Sequence, residues 1–284
     1  MSNKVKYRIL FIGYGVLGDF IVCLKSVELL RGKFPDAHIT YVGNKVFAQL
    51  GMDGYHIDDV LERDEEFNKY YKQIAFHSAK WDKVFKKANL MINHPSDSKG
   101  FFVKNMQKLG FVHQTVCQPI DEMKSKKIVL HGDVHNKDTN AYEQVGELLK
   151  NIGISTNNWS PKLRLKEEYI SYAKNKIEEF FCNNNKEKKN IIAFHPGASS
   201  LEKCVSLERW KIIFENILLE NDMLIIFPGP AEEHMFPKLE LIFRSFKPKI
   251  LRNYSLLDSV SILSQCNKFF GHDTGFAHIA GALS

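Results

Sequence analysis

Cysteine is scarce and scattered in this chain. The five cysteines, Cys23, Cys117, Cys182, Cys204 and Cys266, are odd in number and nowhere form a C-x-x-C pair. That pattern indicates neither a disulfide framework nor a zinc site, and it fits a reducing, cytoplasmic compartment. Long apolar runs are missing as well. Basic residues precede Ile9-Leu-Phe-Ile12, but Gly13, Gly15, Gly18 and Asp19 interrupt the run at once, far short of a bilayer-spanning length of about 20 residues. Neither a leader peptide nor a membrane span is expected. Any membrane contact would be peripheral. No basic tail or arginine-rich block is present, and nucleic acid is not an expected partner.

What the chain does contain is the composition of a soluble globular protein, 44% hydrophobic and 25% charged. Its 284 residues suggest two domains or one large one. The net charge is +6. Residues 1–150 carry 22 basic and 18 acidic side chains and the remainder 17 and 15, so the excess reads as spread along the chain. A mild positive bias suits an anionic substrate or a membrane surface, although ordinary solubility is the simpler explanation.

Strand and helix patterns alternate. Apolar, β-rich runs predict strands at Tyr7–Ile12, His38–Val42, Ile57–Leu61 and Asn89–Asn93. Helical patterns separate them: Asp19–Lys33, a short one near Lys45–Leu50, a charged one over 65–87, and one ending at Leu109. Residues 111–155 are less regular and hold His113, His131, His135 and a helix near Asn140–Asn151. Ser155–Pro161 reads as a linker. Beyond it the alternation restarts, with strands at Ile191–Phe194, Met223–Phe227, Lys249–Leu251 and Lys268–Phe270. Helices are expected there near Glu167–Phe181, Leu207–Leu219, Glu232–Phe246, Leu256–Ser264 and Thr274–Leu283. The expected fold class is therefore α/β with mainly parallel sheets, as two Rossmann-like domains, 1–155 and 156–284, facing a cleft.

Five segments carry residues suited to chemistry. Gly13-x-Gly15-x-x-Gly18 lies between a strand and a helix and matches a dinucleotide fingerprint. That fingerprint needs an acid about 20 residues on to hold the ribose, yet the second strand ends Tyr41-Val-Gly-Asn44. A P-loop fails too, because Gly18 is followed by Asp19-Phe20. Asp19 either caps its helix or does chemistry. The second segment runs from Phe194-His-Pro-Gly197 through Ser199, Ser200 and Lys203 to Glu208-Arg-Trp210. Its serines and amides suit phosphate oxygens, and Lys203 taken alone is a solvated loop lysine. The third is Phe227-Pro-Gly-Pro-Ala-Glu-Glu233, where Glu232 or Glu233 is a ligand or a first-turn acid. The fourth is Asn253-Tyr-Ser-Leu-Leu-Asp258, with Tyr254 a stacking or a core residue. The fifth is Gly271-His-Asp-Thr-Gly-Phe-Ala-His278, read as strand, tight loop and helix with Asp273 at the N-cap. Free amides at such a helix start seat a diphosphate. On the other side His94, Ser96, Ser98 and Lys99 follow the fourth strand, where ligands collect in open α/β sheets. His131 and His135 are candidates for the same place.

In this order the five segments resemble glycosyltransferase family 9, the bacterial heptosyltransferases of the lipopolysaccharide inner core, whose signature is D-[ST]-G-x-x-H. The resemblance implies a GT-B fold and an inverting, metal-independent sugar transfer without a cofactor; no D-x-D motif is evident. The donor would be a nucleotide-sugar, most plausibly ADP-heptose, and the acceptor a lipopolysaccharide core or another glycan. Gly18-Asp19 matches the position of the family's catalytic base, and Lys203 that of the lysine on the departing diphosphate. Ser199, Ser200, Glu232, Tyr254, Asp273, Thr274, Gly275 and His278 would bind the donor, together with Gly18. His94, Ser96 and Lys99 would meet the acceptor. Two departures stand out. Cys204-Val-Ser206 replaces the family's Trp-Pro after the lysine, and the chain stops at Ser284 where members usually continue, so the second domain reads as truncated. Two alternatives follow, an NAD(P)-dependent oxidoreductase built on the first glycine loop and a truncated, inactive family member.

Overall fold

The structure is a computed structural model; it describes residues 7–13, 15–95, 97–115, 126–131, 141–155, 160–181, 190–198 and 200–284, with backbone only at 141–145 and 201. Ser96, His135 and Ser199 lie outside the described residues. The chain divides into two compact units that meet in sequence at Leu163 and Arg164.

The first unit begins with β1 (Arg8–Ile12), whose Ile9, Phe11 and Ile12 are fully buried. A strand apolar on both faces belongs in the middle of a covered parallel sheet. It is followed by α1 (Leu17–Lys33), β2 (His38–Gly43), the short α2 (Lys45–Ala48) and β3 (Asp59–Glu62). The charged stretch 65–87 is not one helix. It forms α3 (Glu65–Lys69) and α4 (Ala79–Lys86), separated by a turn in which Ala75 has φ +60°, and Ser78 restarts the helix by accepting the Trp81 amide. β4 (Leu90–Asn93) and α5 (Phe101–Lys108) follow. Two strands then appear where no regular element is predicted, β5 (Phe111–His113) and β6 (Lys127–His131), before α6 (Ala141–Lys150). The sheet is parallel throughout, in the order β3-β2-β1-β4-β6-β5. Aromatics fill one side of it: Phe67, Tyr70, Trp81, Phe85 and Phe102 are fully or almost fully buried around Met91.

The second unit starts with α7 (Glu167–Phe181), β7 (Ile191–His195), α8 (Leu207–Ile217) and β8 (Met223–Ile226). The helix expected over 232–246 is broken: a 3₁₀ turn at Pro230–Met235 leads into α9 (Phe236–Ile242) and a second 3₁₀ turn. β9 (Lys249–Ile250), α10 (Leu256–Leu263), β10 (Lys268–Gly271) and α11 (Gly275–Leu283) complete it. Its sheet is again parallel, in the order β10-β7-β8-β9. Phe214 is its hub, with ring centroids 5.1 Å from Phe194, 5.7 Å from Trp210 and 6.0 Å from Phe243.

Both sheets reverse their order of winding beside the first strand, between β1 and β4 and between β7 and β10. In open parallel sheets the crevice at the carboxyl ends of such strands takes the ligand.

Candidate functional site

In the first unit the β1 carboxyl end turns into the Gly13–Gly18 loop. α1 starts at Leu17, not at Asp19 as predicted. Asp19 is its third residue and Val16 its N-cap. The Asp19 carboxylate folds back and accepts the Val16 amide at 2.8 Å. A Cβ on Gly15 (φ +88°) would lie 1.8 Å from Asp19 Oδ2, so only glycine lets the loop close over this carboxylate. Gly18 is buried inside the first turn.

The glycines of the dinucleotide-like loop serve something else. The buried Tyr41 ring lies over the ends of β1 and β2, and a Cβ on Gly13 would meet its hydroxyl at 2.1 Å. What space remains, bounded by Gly13, Gly15, Tyr41, Gly43, Asn44, Glu62 and Arg63, is about 210 Å³.

Further along the same edge, Tyr71 donates to Asn93 Oδ1, and Asn93 Nδ2 donates to His131 Nδ1 at 2.9 Å. His94, 5% exposed, packs on Phe11, and its buried Nε2 has no hydrogen-bond partner among the described residues. Burial, aided by His131, pushes the His94 pKa from 6.5 down to about 3. A group whose folded pKa is depressed in this way binds its proton in the unfolded chain first. Stability is therefore expected to fall as pH drops below the ordinary value of 6.5, by about 2 kcal/mol at about pH 5. Melting curves for wild type and His94→Asn across that window check it; an equal pH slope in both refutes the assignment. Lys99 is exposed, with its Nζ 5.8 Å from the Phe101 ring.

In the second unit the carboxyl edge gathers a tighter cluster. Glu232, only 8% exposed, accepts the Gly229 amide at 2.8 Å. Its carboxylate presses on Gly197, where a Cβ would lie 2.2 Å from Oε1. His195, at the end of β7, donates from Nδ1 to the Phe227 carbonyl at 2.6 Å and stacks on Phe276 with centroids 4.8 Å apart. Burial holds His195 below the ordinary histidine value, against the opposing effects of that carbonyl and Glu232.

His272 ties the edge together. Its Nδ1 donates to the Gly197 carbonyl at 3.0 Å, and its Nε2 accepts the Val205 amide at 2.9 Å and Trp210 Nε1 at 3.3 Å. These partners require the neutral tautomer with the proton on Nδ1. The bond to Val205 fixes the loop in which Lys203 stands, which is how Cys204-Val-Ser206 keeps a defined shape without Trp-Pro. Ser206 caps α8 by accepting the Arg209 amide. Lys203 is exposed at the end of a 3₁₀ turn beside Ser200 and has no acidic partner among the described residues.

The N-cap of α11 is Thr274, not Asp273. Asp273 is 86% exposed and lies 3.9 Å from His278 Nε2. Thr274 O accepts the Ala277 and His278 amides, while the Gly275 and Phe276 amides have no acceptor among the described residues. Thr274 Oγ1 is buried and has no partner among the described residues. Tyr254 does not join this cluster through any described contact; its ring meets Phe180 at 6.4 Å. His195, His272 and Tyr41 escaped the sequence reading. His272 stands inside the quoted Gly271–His278 segment, but only its three partners, up to 75 residues away, reveal what it does.

The cluster is an acceptor-poor, donor-rich edge: free amides, a free lysine and one buried carboxylate, an arrangement that suits a phosphorylated ligand bearing hydroxyls. The structure of a glycosyltransferase family 9 protein from Veillonella parvula DSM 2008 is similar at TM-score 0.72 and 19% identity, covering 99% of this chain and 80% of that one. E. coli ADP-heptose LPS heptosyltransferase II is similar at TM-score 0.67 and 15% identity, covering 97% and 82%. E. coli heptosyltransferase WaaC with ADP-2-deoxy-2-fluoro heptose follows at TM-score 0.63 and 18% identity, covering 97% and 86%. No curated protein is matched. The fold is thus the GT-B type of these transferases, and nothing in it favours an oxidoreductase. The profile of glycosyltransferase family 9 (heptosyltransferase) matches residues 123–284, which takes in the whole second-unit edge with Lys203, Glu232, His272 and the α11 N-terminus, and the chain is a member of that family.

Proposed function

We propose that the protein transfers heptose from ADP-heptose to a lipopolysaccharide core acceptor with inversion, at the cytoplasmic face of the inner membrane. The observation that carries this reading is the convergence, on one sheet edge, of the free α11 amides, the unpaired Lys203 and the buried Glu232. Free amides at a helix N-terminus bind phosphate, and a carboxylate accepting only one amide retains lone pairs for ribose hydroxyls. Asp19 takes the proton from the acceptor hydroxyl. The hydroxyl oxygen then forms a bond to the anomeric carbon as the bond from that carbon to the diphosphate breaks on the opposite face. The departing ADP carries the electron pair, and Lys203, the amides of Gly275 and Phe276, and Ser200 stabilise its charge. No metal enters this scheme.

Fluorescence or calorimetric titration with ADP, ADP-heptose, NADH and NADPH tests the reading. ADP and ADP-heptose are expected to bind and the nicotinamide dinucleotides not to. Tight dinucleotide binding with no response to ADP overturns it.

A further inference from the structure

The positive charge of the chain is not spread evenly. Between residues 69 and 87 stand six lysines and one aspartate, a net of +5 against +6 for the whole protein. Folding sharpens the imbalance. Lys83 and Lys86 on α4 and Lys87 at its C-cap stand at i, i+3 and i+4, which places them on one face, and with His77, Ala79 and Asp82 they line a single shallow depression. Trp81, Asp82 and Phe85 occupy the buried face. Lys127 joins from β6, its Nζ donating to the Lys86 carbonyl at 2.7 Å.

Nearby acids do not neutralise this face. Asp82 is turned inward to Tyr70 and His77. Asp64 is taken by Lys80 and Trp81, and Glu66 by Ser78. Lys83, Lys86 and Lys87 have no acidic partner among the described residues. Lysines in the last turn of a helix favour its dipole, but like charges at these spacings repel one another, so the helix gains little from carrying three.

We propose that this lysine face is a docking surface for an anionic bilayer. α4 runs back along the sheet. It starts near the carboxyl edge, where Tyr71 meets Asn93, and ends at the amino edge, where Lys127 meets Lys86. The face therefore lies along the flank of the first unit, and a bilayer on that flank leaves the carboxyl edge open. Ile74, 50% exposed and three residues before His77, adds an apolar side chain. Nucleic acid fits less well. Single-strand binders offer aromatic stacking platforms, and the one tryptophan of this segment, Trp81, is 1% exposed. A lipid-borne acceptor gives the docking its purpose, and to that extent it rests on the proposed function; empty vesicles test it independently.

The full chain is sedimented with vesicles of phosphatidylcholine alone and of equal parts phosphatidylcholine and phosphatidylglycerol, without donor or acceptor. Binding is expected only to the anionic vesicles and is expected to weaken as salt screens it. Each lysine at such a surface contributes about fivefold, so Lys83→Glu with Lys86→Glu and Lys87→Glu should lower partition on the order of 100-fold or more. The ADP titration should not change. If that variant fails to fold, the glutamine triple variant replaces it. Absence of wild-type binding to the anionic vesicles, equal binding by the variant, or preference for a DNA duplex at equal phosphate concentration overturns the proposal. Failure here with ADP-heptose binding intact removes the surface and leaves the transferase reading standing.

Discussion

Asp19→Asn is expected to abolish turnover while ADP binding survives. General-base catalysis contributes about 100- to 10,000-fold, and an amide cannot take a proton from the acceptor hydroxyl. The substitution is nearly isosteric. The remaining side-chain oxygen can still accept the Val16 amide, a bond of 2.8 Å in the native protein, so the Gly15–Gly18 loop and the α1 N-terminus should hold their shape. Asp19→Ala separates two effects. It removes the base and the capping bond together, and loss of such a cap costs about 0.5–2 kcal/mol. The expected pattern is a melting temperature lowered by alanine but not by asparagine, with turnover lost in both. Steady-state rates with an ADP-heptose donor, read beside ADP titrations, decide it. A near-normal rate for Asp19→Asn would leave Asp19 as a cap alone.

Lys203→Ala should lower kcat by about 100- to 1,000-fold, the range found when one preorganised donor to a developing charge is removed. The effect on the ADP complex should be smaller, because the lysine is exposed and the amides of α11 remain. His272 supplies the test of how the lysine is held. It accepts the Val205 amide at 2.9 Å, two residues beyond Lys203, and Trp210 Nε1 at 3.3 Å. His272→Ala should release that loop and lower kcat through Lys203, roughly 10-fold, leaving both N–H groups to find water. In the Lys203→Ala background the same substitution should cost little more, because residues acting through one another are not additive. Fully additive losses would mean that His272 acts on its own. Recovery of part of kcat by His272→Gln, which keeps an acceptor and a donor, would support the positioning role over a purely structural one.

Much of the architecture was legible locally. β1, β4, β7 and β8 are short apolar runs bounded by turn residues, and burial on both faces needs little more than that pattern to be read. Gly18-Asp19, Lys203, Glu232 and Asp273–Gly275 were legible only as candidates, through their match in order to the motifs of glycosyltransferase family 9. β5 and β6 were not. β5, Phe111–His113, has an exposed centre at Val112 and is a strand because it pairs with Lys127–Val129 across an intervening segment. The stretch 65–87 shows helical composition throughout, but the chain must turn back for Tyr70 to reach Asp82 and for Trp81 to pack on Phe67.

The sequence by itself determined an alternating α/β chain and the strands of the two sheets other than β5 and β6, and it marked candidate positions for a base, a cation and a phosphate seat. Those properties depend on residues within a few positions of one another. Tertiary structure alone decided three further matters. Tyr41 fills the first glycine loop, His272 joins Gly197 to Val205 and Trp210, and Lys127 arrives beside Lys86 to complete a lysine face. Each of these depends on a contact between residues far apart in sequence. No periodicity records such a contact, because it exists only once the strands have paired and brought their ends to a common edge.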